Sequence, residues 1–182
     1  METRDVLADA FGRIAAVVRM AVEGLSGDDL AWRPDPGANS IAWLAWHLSR
    51  IQDDHLAEIA GRTQSWHEDG WAERFGRAAD STDTGYGHTA AQVAAIRPAG
   101  PELLLGYHAA VAERTGVYLA TVDGSELDRI VDRSYDPPVS VGTRLVSVLS
   151  DNLQHAGQAR YLRGLLERRE PGEPGEPGVR RP

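Results

Sequence analysis

Residues 40–61 read SIAWLAWHLSRIQDDHLAEIAG and predict a long helix over residues 41–60. Apolar residues recur in this segment at spacings of three and four, which is the period of one helical face. Ser40 is suited to cap the N-terminus of the helix, and Gly61 provides a natural end for it. The segment therefore predicts a helix whose apolar face packs against a core.

A histidine lies on the apolar face of this helix. His47 follows Trp43 by four residues and Leu44 by three, and it precedes Ile51 by four. Side chains at these spacings share one side of a helix. An inward-facing imidazole either forms hydrogen bonds in a core or binds a metal ion, and His47 alone leaves both interpretations open.

On both sides of this helix, hydrophobic periodicity predicts three more long helices. They span residues 3–25, 101–122 and 140–169, and shorter helical segments are predicted at residues 26–30, 71–75, 89–96 and 125–130. Residues 62–88 show no sustained period, so we expect an irregular connection between the second and third long helices. The pattern as a whole predicts an all-α fold, a four-helix bundle.

The end of the sequence differs in composition from the rest. Residues 170–178 repeat Glu-Pro-Gly three times, a composition that cannot bury apolar surface. We therefore expect two regions, a bundle over residues 1–169 and a disordered tail over residues 170–182.

Length and hydrophobicity favour a single domain outside the membrane. The sequence has 182 residues and 42% hydrophobic content, which suffices for one core. No apolar run approaches the roughly 18 to 20 residues needed to span a bilayer, and residues 1–5 lack the features of a secretion signal. We expect a cytoplasmic protein without a membrane partner.

Two absent residue types exclude several kinds of chemistry. The sequence contains no cysteine and no lysine, so it has no disulfide, thiolate ligand, cysteine nucleophile or Schiff-base lysine. The net charge of −8 argues against nucleic-acid binding through a general basic surface. A small-molecule substrate is the remaining expectation.

A carboxylate and a second histidine lie one turn apart on the fourth predicted helix. Asp151 and His155 are separated by four residues, a spacing that lets two ligands bind one metal ion. Leu145 and Val148 lie near the same side, so both polar side chains are expected to point into the bundle. A buried carboxylate is costly unless it is compensated, and a divalent cation compensates it well.

Facing side chains on neighbouring helices are a common source of metal sites in bundles. His47, Asp151 and His155 are therefore the candidate metal ligands, and three protein ligands would leave coordination positions open for catalysis. The alternative is a trio that is hydrogen-bonded internally without metal. Gln158, three residues beyond His155, is expected either to hydrogen-bond a ligand or to contact an adjacent helix.

Two further residues, His108 and Arg50, are weaker candidates for a functional role. His108 is an alternative ligand if the third long helix turns that side inward. Arg50 is a candidate for binding an anionic substrate, but the favoured interpretation is a surface group, because an isolated helical arginine usually lies at the surface.

Two segments resemble a known family. SIAWLAWHL at residues 40–48 resembles the second-helix signature of the DinB/YfiT-like metalloenzymes, and DNLQHAGQA at residues 151–159 resembles their fourth-helix signature. The resemblance covers roughly residues 5–168 and is nearest to the actinobacterial branch. It implies an up-down-down-up bundle with a divalent metal between the helices, commonly Zn or Ni, and a homodimer.

The resemblance also assigns the ligands. The second-helix ligand of the family falls on His47, and its last ligand falls on His155. The remaining ligand falls on Asp151, where many members have His and the mycothiol-dependent isomerases have Glu. Because Asp is one methylene shorter than Glu, direct contact with the metal and contact through water both stay open.

The functional expectation rests on that resemblance. The thiol-using relatives imply a metal-dependent enzyme that activates a low-molecular-weight thiol, such as mycothiol, for transfer to a small electrophile. The alternatives are a metal-dependent hydrolase, a non-catalytic metal-stabilised bundle acting as a stress-response binding protein, and a metal-free helical dimer.

Overall fold

The structure, a computed structural model, describes residues 2–169, so the predicted tail lies outside the described residues. These residues form nine helices and one small antiparallel sheet. The elements are α1 (Thr3–Val22), α2 (Gly27–Ala31), α3 (Ile41–Ala60), α4 (Ser65–Glu68), α5 (Trp71–Arg74), α6 (Ala90–Ala94), α7 (Pro101–Leu119), α8 (Gly124–Asp128), β1 (Ile130–Asp132), β2 (Val139–Ser140) and α9 (Val141–Glu167). None of the helices among these residues combines the length and the apolar character that crossing a membrane requires.

The four long helices α1, α3, α7 and α9 form the bundle. Helix α9 packs against α3 and α1, and α7 packs against the same two helices on the other side. Contacts between helix ends give the directions: Arg163 with Glu23, Arg144 with Glu58, and Arg114 with Thr63. These contacts make α1 parallel to α9, α3 parallel to α7, and α3 antiparallel to α9. The predicted up-down-down-up four-helix bundle is therefore confirmed.

The ends of the helices follow the local chemistry of the sequence. The Ser40 hydroxyl accepts a hydrogen bond from the Trp43 backbone N–H at the start of α3, as predicted. Gly61 ends α3 in the left-handed region with φ of 62°, which glycine adopts without strain. At α8 the cap is Asp123, because its carboxylate accepts the Glu126 backbone N–H.

The sheet was not predicted. Residues Ile130–Asp132 pair antiparallel with Val139–Ser140 across the proline-containing turn between them. This short hairpin leads directly into α9, whose first turn is capped by the Ser140 hydroxyl. The hairpin therefore joins the α7 end of the bundle to the helix that carries Asp151 and His155.

The irregular connection at residues 62–88 is present, and it packs tightly on the bundle. Its two short helices, α4 and α5, bury the rings of Trp66 and Trp71. Both indoles pack against Tyr107 of α7, with ring centroids 5.4 and 5.6 Å away. The connection is therefore a packed layer that covers α3 and α7.

A chain of buried polar side chains joins three of the long helices. The Asn152 amide of α9 donates to Gln52 of α3 at 2.7 Å, and Gln52 donates to the Thr115 hydroxyl of α7 at 2.8 Å. All three side chains are buried. Because buried polar groups are costly without partners, this chain fixes how α9 is rotated against α3. It places Asn152, and not Asp151, at the innermost position of α9.

We predict that Gln52→Leu destabilises the protein by about 1–3 kcal/mol, because the Asn152 amide then loses its buried partner. Gln154→Leu is the matched control, since Gln154 is exposed and bonds only within its own helix. That control should change stability by less than about 0.5 kcal/mol. Urea unfolding followed by circular dichroism measures both values, and equal effects of the two substitutions would contradict the role of the buried chain.

Candidate metal centre

The structure brings His47, Asp151 and His155 together between α3 and α9. One ligand atom from each residue lies within 4.8 Å of the other two. The Oδ1 atom of Asp151 is 3.5 Å from His155 Nε2 and 4.0 Å from His47 Nε2. Two ring nitrogens and one carboxylate oxygen thus face a common point.

The cluster sits at the edge of the bundle. His47 is buried, but 31% of the Asp151 side chain and 19% of the His155 side chain remain exposed. Asp151 and His155 face His47 of α3 inside the bundle, as expected, but neither is fully buried, because the bond from Asn152 to Gln52 makes Asn152 the innermost residue of this turn. Asp151 and His155 therefore lie beside the core, and the cluster has one side open to solvent.

A backbone carbonyl determines which nitrogen of His47 carries a proton. Nδ1 lies 2.6 Å from the carbonyl oxygen of Thr84, which can only accept a hydrogen bond. The proton of the neutral ring is therefore on Nδ1, and Nε2 has a free electron pair. That free pair faces Asp151 and His155.

Gln158 accepts the hydrogen bond from the Nδ1 atom of the second imidazole, that of His155. Its side-chain oxygen lies 3.1 Å from His155 Nδ1, one turn further along α9. Of the two positions considered for Gln158, the structure shows the one that hydrogen-bonds a candidate ligand. With Nδ1 occupied, Nε2 of His155 is the nitrogen available for a metal ion.

The residues present fit a divalent cation. The Oδ2 atom of Asp151 is buried and has no hydrogen-bond partner among the described residues. A buried carboxylate oxygen without a partner is costly, and a cation removes that cost. Two imidazole nitrogens and a carboxylate oxygen form a donor set that suits first-row divalent metals such as Zn and Ni.

The two histidines differ in how readily they hold a proton. Burial lowers the pKa of His47, so this ring stays neutral and able to bind a cation. The Asp151 carboxylate raises the pKa of His155 by hydrogen bonding to its protonated form. Protons therefore compete with a metal ion for His155 more strongly than they do for His47.

An indole supports both imidazoles. Trp43 stacks on His47 with ring centroids 4.5 Å apart and planes 9° apart, and its edge contacts His155. The Trp43 Nε1–H donates to His88 Nδ1 at 3.1 Å, and His88 Nε2 donates to Asp83 at 2.8 Å. Trp43 is thereby tied to the connection that supplies the Thr84 carbonyl.

Gly85 allows the connection to approach His47 closely. Its φ is +92°, in the region that favours glycine. A Cβ at this position would lie 2.9 Å from His47 Nδ1 and 2.9 Å from the Trp46 ring. Neither Thr84 nor Gly85 is predictable as a site residue from the sequence, because no spacing or residue type links this loop to His47.

The two weaker candidates, His108 and Arg50, lie outside the cluster. His108 is buried between α7 and α3, where its Nδ1 lies 3.1 Å from the Ser49 hydroxyl, and it takes no part in the cluster. The interpretation of Arg50 as a surface group is wrong, since its side chain is completely buried. Its guanidinium is buried because it has internal partners from α7 and from the connection.

Both the sequence and the fold are similar to those of known proteins. Residues 10–159 match the sequence model of the DinB superfamily, a range that includes all three residues of the cluster. The chain is also similar to the crystal structure of a conserved protein from Enterococcus faecalis, with 27% sequence identity and a TM-score of 0.85. That match covers 92% of this chain and 98% of the other. No curated protein matches the sequence.

We predict that, in metal-free protein, His155 loses its proton at a higher pH than His47. Because Asp151 is the main cause of the raised pKa, Asp151→Asn should shift the His155 titration to lower pH. Imidazole ¹⁵N NMR spectra recorded as a function of pH measure both rings.

The raised pKa of His155 also predicts how protein stability and metal affinity each change with pH. The stabilising contribution of protonated His155 is complete below the usual histidine pKa and is lost as pH rises through the raised value. Metal affinity changes in the opposite sense, falling as pH drops through that value, because protons then compete with the metal. A His155 titration at or below that of His47 would contradict the assigned geometry.

Proposed function

The chain belongs to the DinB superfamily, and we propose that it is a metal-dependent enzyme that activates a low-molecular-weight thiol for transfer to a small electrophile. His47, Asp151 and His155 would hold one divalent cation, with Zn and Ni as the proposed metals. The observation that supports the proposal is that one ligand atom from each of the three residues lies within 4.8 Å of the others, with the Nε2 atoms of His47 and His155 at 4.0 and 3.5 Å from Asp151 Oδ1. Metal binding is also what this superfamily is known for.

The openness of the cluster favours a catalytic site over a structural one. Structural zinc sites are closed by four protein ligands, whereas catalytic sites keep a position for substrate. Among residues 2–169, the cluster contains three such ligands and no fourth His, Asp or Glu. The partial exposure of Asp151 and His155 leaves a route by which a small molecule can reach the centre.

The proposed chemistry depends on the absence of cysteine from the sequence and on a cation held by the cluster. Because the sequence has no cysteine, the nucleophilic sulfur must come from a second substrate. A cation bound at this site would lower the pKa of that thiol and so supply the nucleophile. The thiol loses its proton to solvent, its sulfur bonds to the electrophilic carbon of an activated double bond as the π bond opens, and the resulting anion takes up a proton from solvent.

The protein's own residues orient the centre. Thr84 and Gln158 hold the Nδ1 atoms, so that both Nε2 atoms face Asp151. Trp43 covers one face of the His47 ring and meets the His155 ring in a T-shaped contact. The choice of mycothiol among thiols rests on the resemblance to mycothiol-using relatives.

We predict that the protein binds one Zn²⁺ or Ni²⁺ per chain. His47→Ala and His155→Ala should each weaken binding by more than about 100-fold, since even removal of an outer partner costs 10- to 100-fold. Asp151→Ala should weaken it less if a water molecule bridges that contact. Isothermal titration calorimetry and elemental analysis measure affinity and stoichiometry.

His67→Ala serves as the control, because it removes an imidazole that lies on α4 and outside the cluster. It should retain full occupancy. Full and equal occupancy in all three cluster variants would refute the assignment of the ligands.

We predict a metal-dependent rate when the loaded protein is assayed with mycothiol, bacillithiol or glutathione and a generic electrophile. His47→Ala, tested alongside, provides the blank, because it removes a ligand while leaving the rest of the surface intact. A rate with one thiol supports the proposal. No rate above the blank with any thiol, at full metal occupancy, would exclude thiol transfer and favour a metal-stabilised binding protein.

A further inference from the structure

A buried arginine lies one turn from His47 on the same helix. The Arg50 side chain is completely inaccessible to solvent. Its charge is balanced by Asp53, whose Oδ2 lies 3.5 Å from Arg50 NH1 and also accepts the Tyr107 hydroxyl at 2.8 Å. Its guanidinium face lies over the Trp66 ring, 4.8 Å from the centroid. Such a buried cation is retained only when its donors are satisfied.

The donors of Arg50 are used mainly on the connection between α3 and α7. Nε donates to the Asp83 carbonyl at 3.0 Å, and one terminal nitrogen donates to the Ser81 carbonyl at 3.1 Å. The same terminal nitrogen donates to Gln64 at 2.9 Å, and the other donates to the Tyr107 hydroxyl at 3.1 Å. Arg50 thus holds the backbone of the residues immediately before Thr84.

The 81–85 segment contains neither helix nor strand, so its position depends on such contacts. The Asp83 carboxylate receives hydrogen bonds from Arg77 at 2.7 Å and from His88 at 2.8 Å. The Asp83 carbonyl is held from the interior by Arg50. The next carbonyl, that of Thr84, is the one that meets His47 Nδ1 at 2.6 Å.

We propose that Arg50 is a positioning residue for the metal centre: by holding the 81–85 segment, it places the Thr84 carbonyl that keeps the His47 proton on Nδ1. This inference rests on the proposed function, because it assigns the tautomer that leaves Nε2 free for the cation. Without Arg50, the Asp83 carbonyl loses its buried donor and the Ser81 carbonyl keeps only Gln64, so the backbone next to Thr84 is held less firmly. Both tautomers of His47 then become accessible, and only one of them can bind the metal through Nε2.

Two substitutions test this proposal, one at Arg50 on α3 and one at Gly85 within the segment. Arg50→Met keeps the length of the side chain and removes all its donors. Gly85→Ala adds a methyl group that would contact His47 Nδ1 and Trp46, without leaving a buried charge unpaired. Ser49→Ala is the matched control, because Ser49 is buried and adjacent but bonds only to Ala45 and His108.

The first measurement is the His47 tautomer, read from imidazole ¹⁵N shifts in metal-free full-length protein. Wild type and Ser49→Ala should show a single tautomer with the proton on Nδ1, whereas Arg50→Met and Gly85→Ala should show both. The second measurement is Zn²⁺ affinity, which should fall by about 10- to 100-fold in the two test variants and stay unchanged in the control. Circular dichroism establishes that each variant is folded. If Arg50→Met does not fold, Arg50→Lys decides the test, because it keeps the buried charge and lacks the Nε donor to the Asp83 carbonyl.

The proposal is overturned if His47 in wild type carries its proton on Nε2, or if both test variants keep one tautomer and wild-type affinity. It is also overturned if Ser49→Ala loses as much affinity as they do, since general destabilisation would then explain the effect. If wild type binds no Zn²⁺, the proposed function fails, and the tautomers still decide whether Arg50 positions His47.

Discussion

An imidazole can ligate a metal through one nitrogen only if the other nitrogen holds the proton, and the candidate centre depends on this constraint. His47 meets it through the Thr84 carbonyl, and His155 meets it through Gln158. The antiparallel packing of α3 and α9 then directs the two Nε2 atoms towards Asp151. Each part of the fold near the centre contributes either to this packing or to the partners of the Nδ1 atoms.

The connection between α3 and α7 is therefore part of the site. It buries two indoles against α7 and covers the first half of α3, which is why that half is buried on every side. It also supplies a backbone carbonyl to His47 and a histidine partner to Trp43. On the side of α9, Asp151 and His155 remain partly exposed, so rigid support on one side is combined with access on the other.

Much of the fold is predictable from local sequence, because apolar spacing and helix caps are local properties. Ser40 and Gly61 bound α3 as expected, and the periodicity of the four long helices holds. The spacing of Asp151 and His155 and the position of His47 on an apolar face identify the residues that the structure brings together. The rotation of α9 about its axis cannot be predicted from local sequence. It depends on the hydrogen bond between Asn152 and Gln52, which are 100 positions apart.

The supporting partners of the site have no sequence signature. Thr84 acts through its backbone carbonyl, which every residue possesses, and Gly85 is one glycine among 19. Arg50 is buried because its partners are carbonyls 31 and 33 positions further along the chain, and spacing within a helix does not reveal them. Long-range backbone contacts of this kind become visible only in the folded structure.

The proposed function requires that two Nε2 atoms and Asp151 hold a divalent cation with coordination positions left open. Anomalous diffraction from crystals of the zinc-loaded protein tests it most directly. We expect one peak per chain, about 2.0–2.1 Å from Nε2 of His47 and His155, with Asp151 contacting it directly or through water and solvent at the remaining positions. A peak elsewhere, ligation through Nδ1, or a fourth protein ligand that closes the site would contradict it.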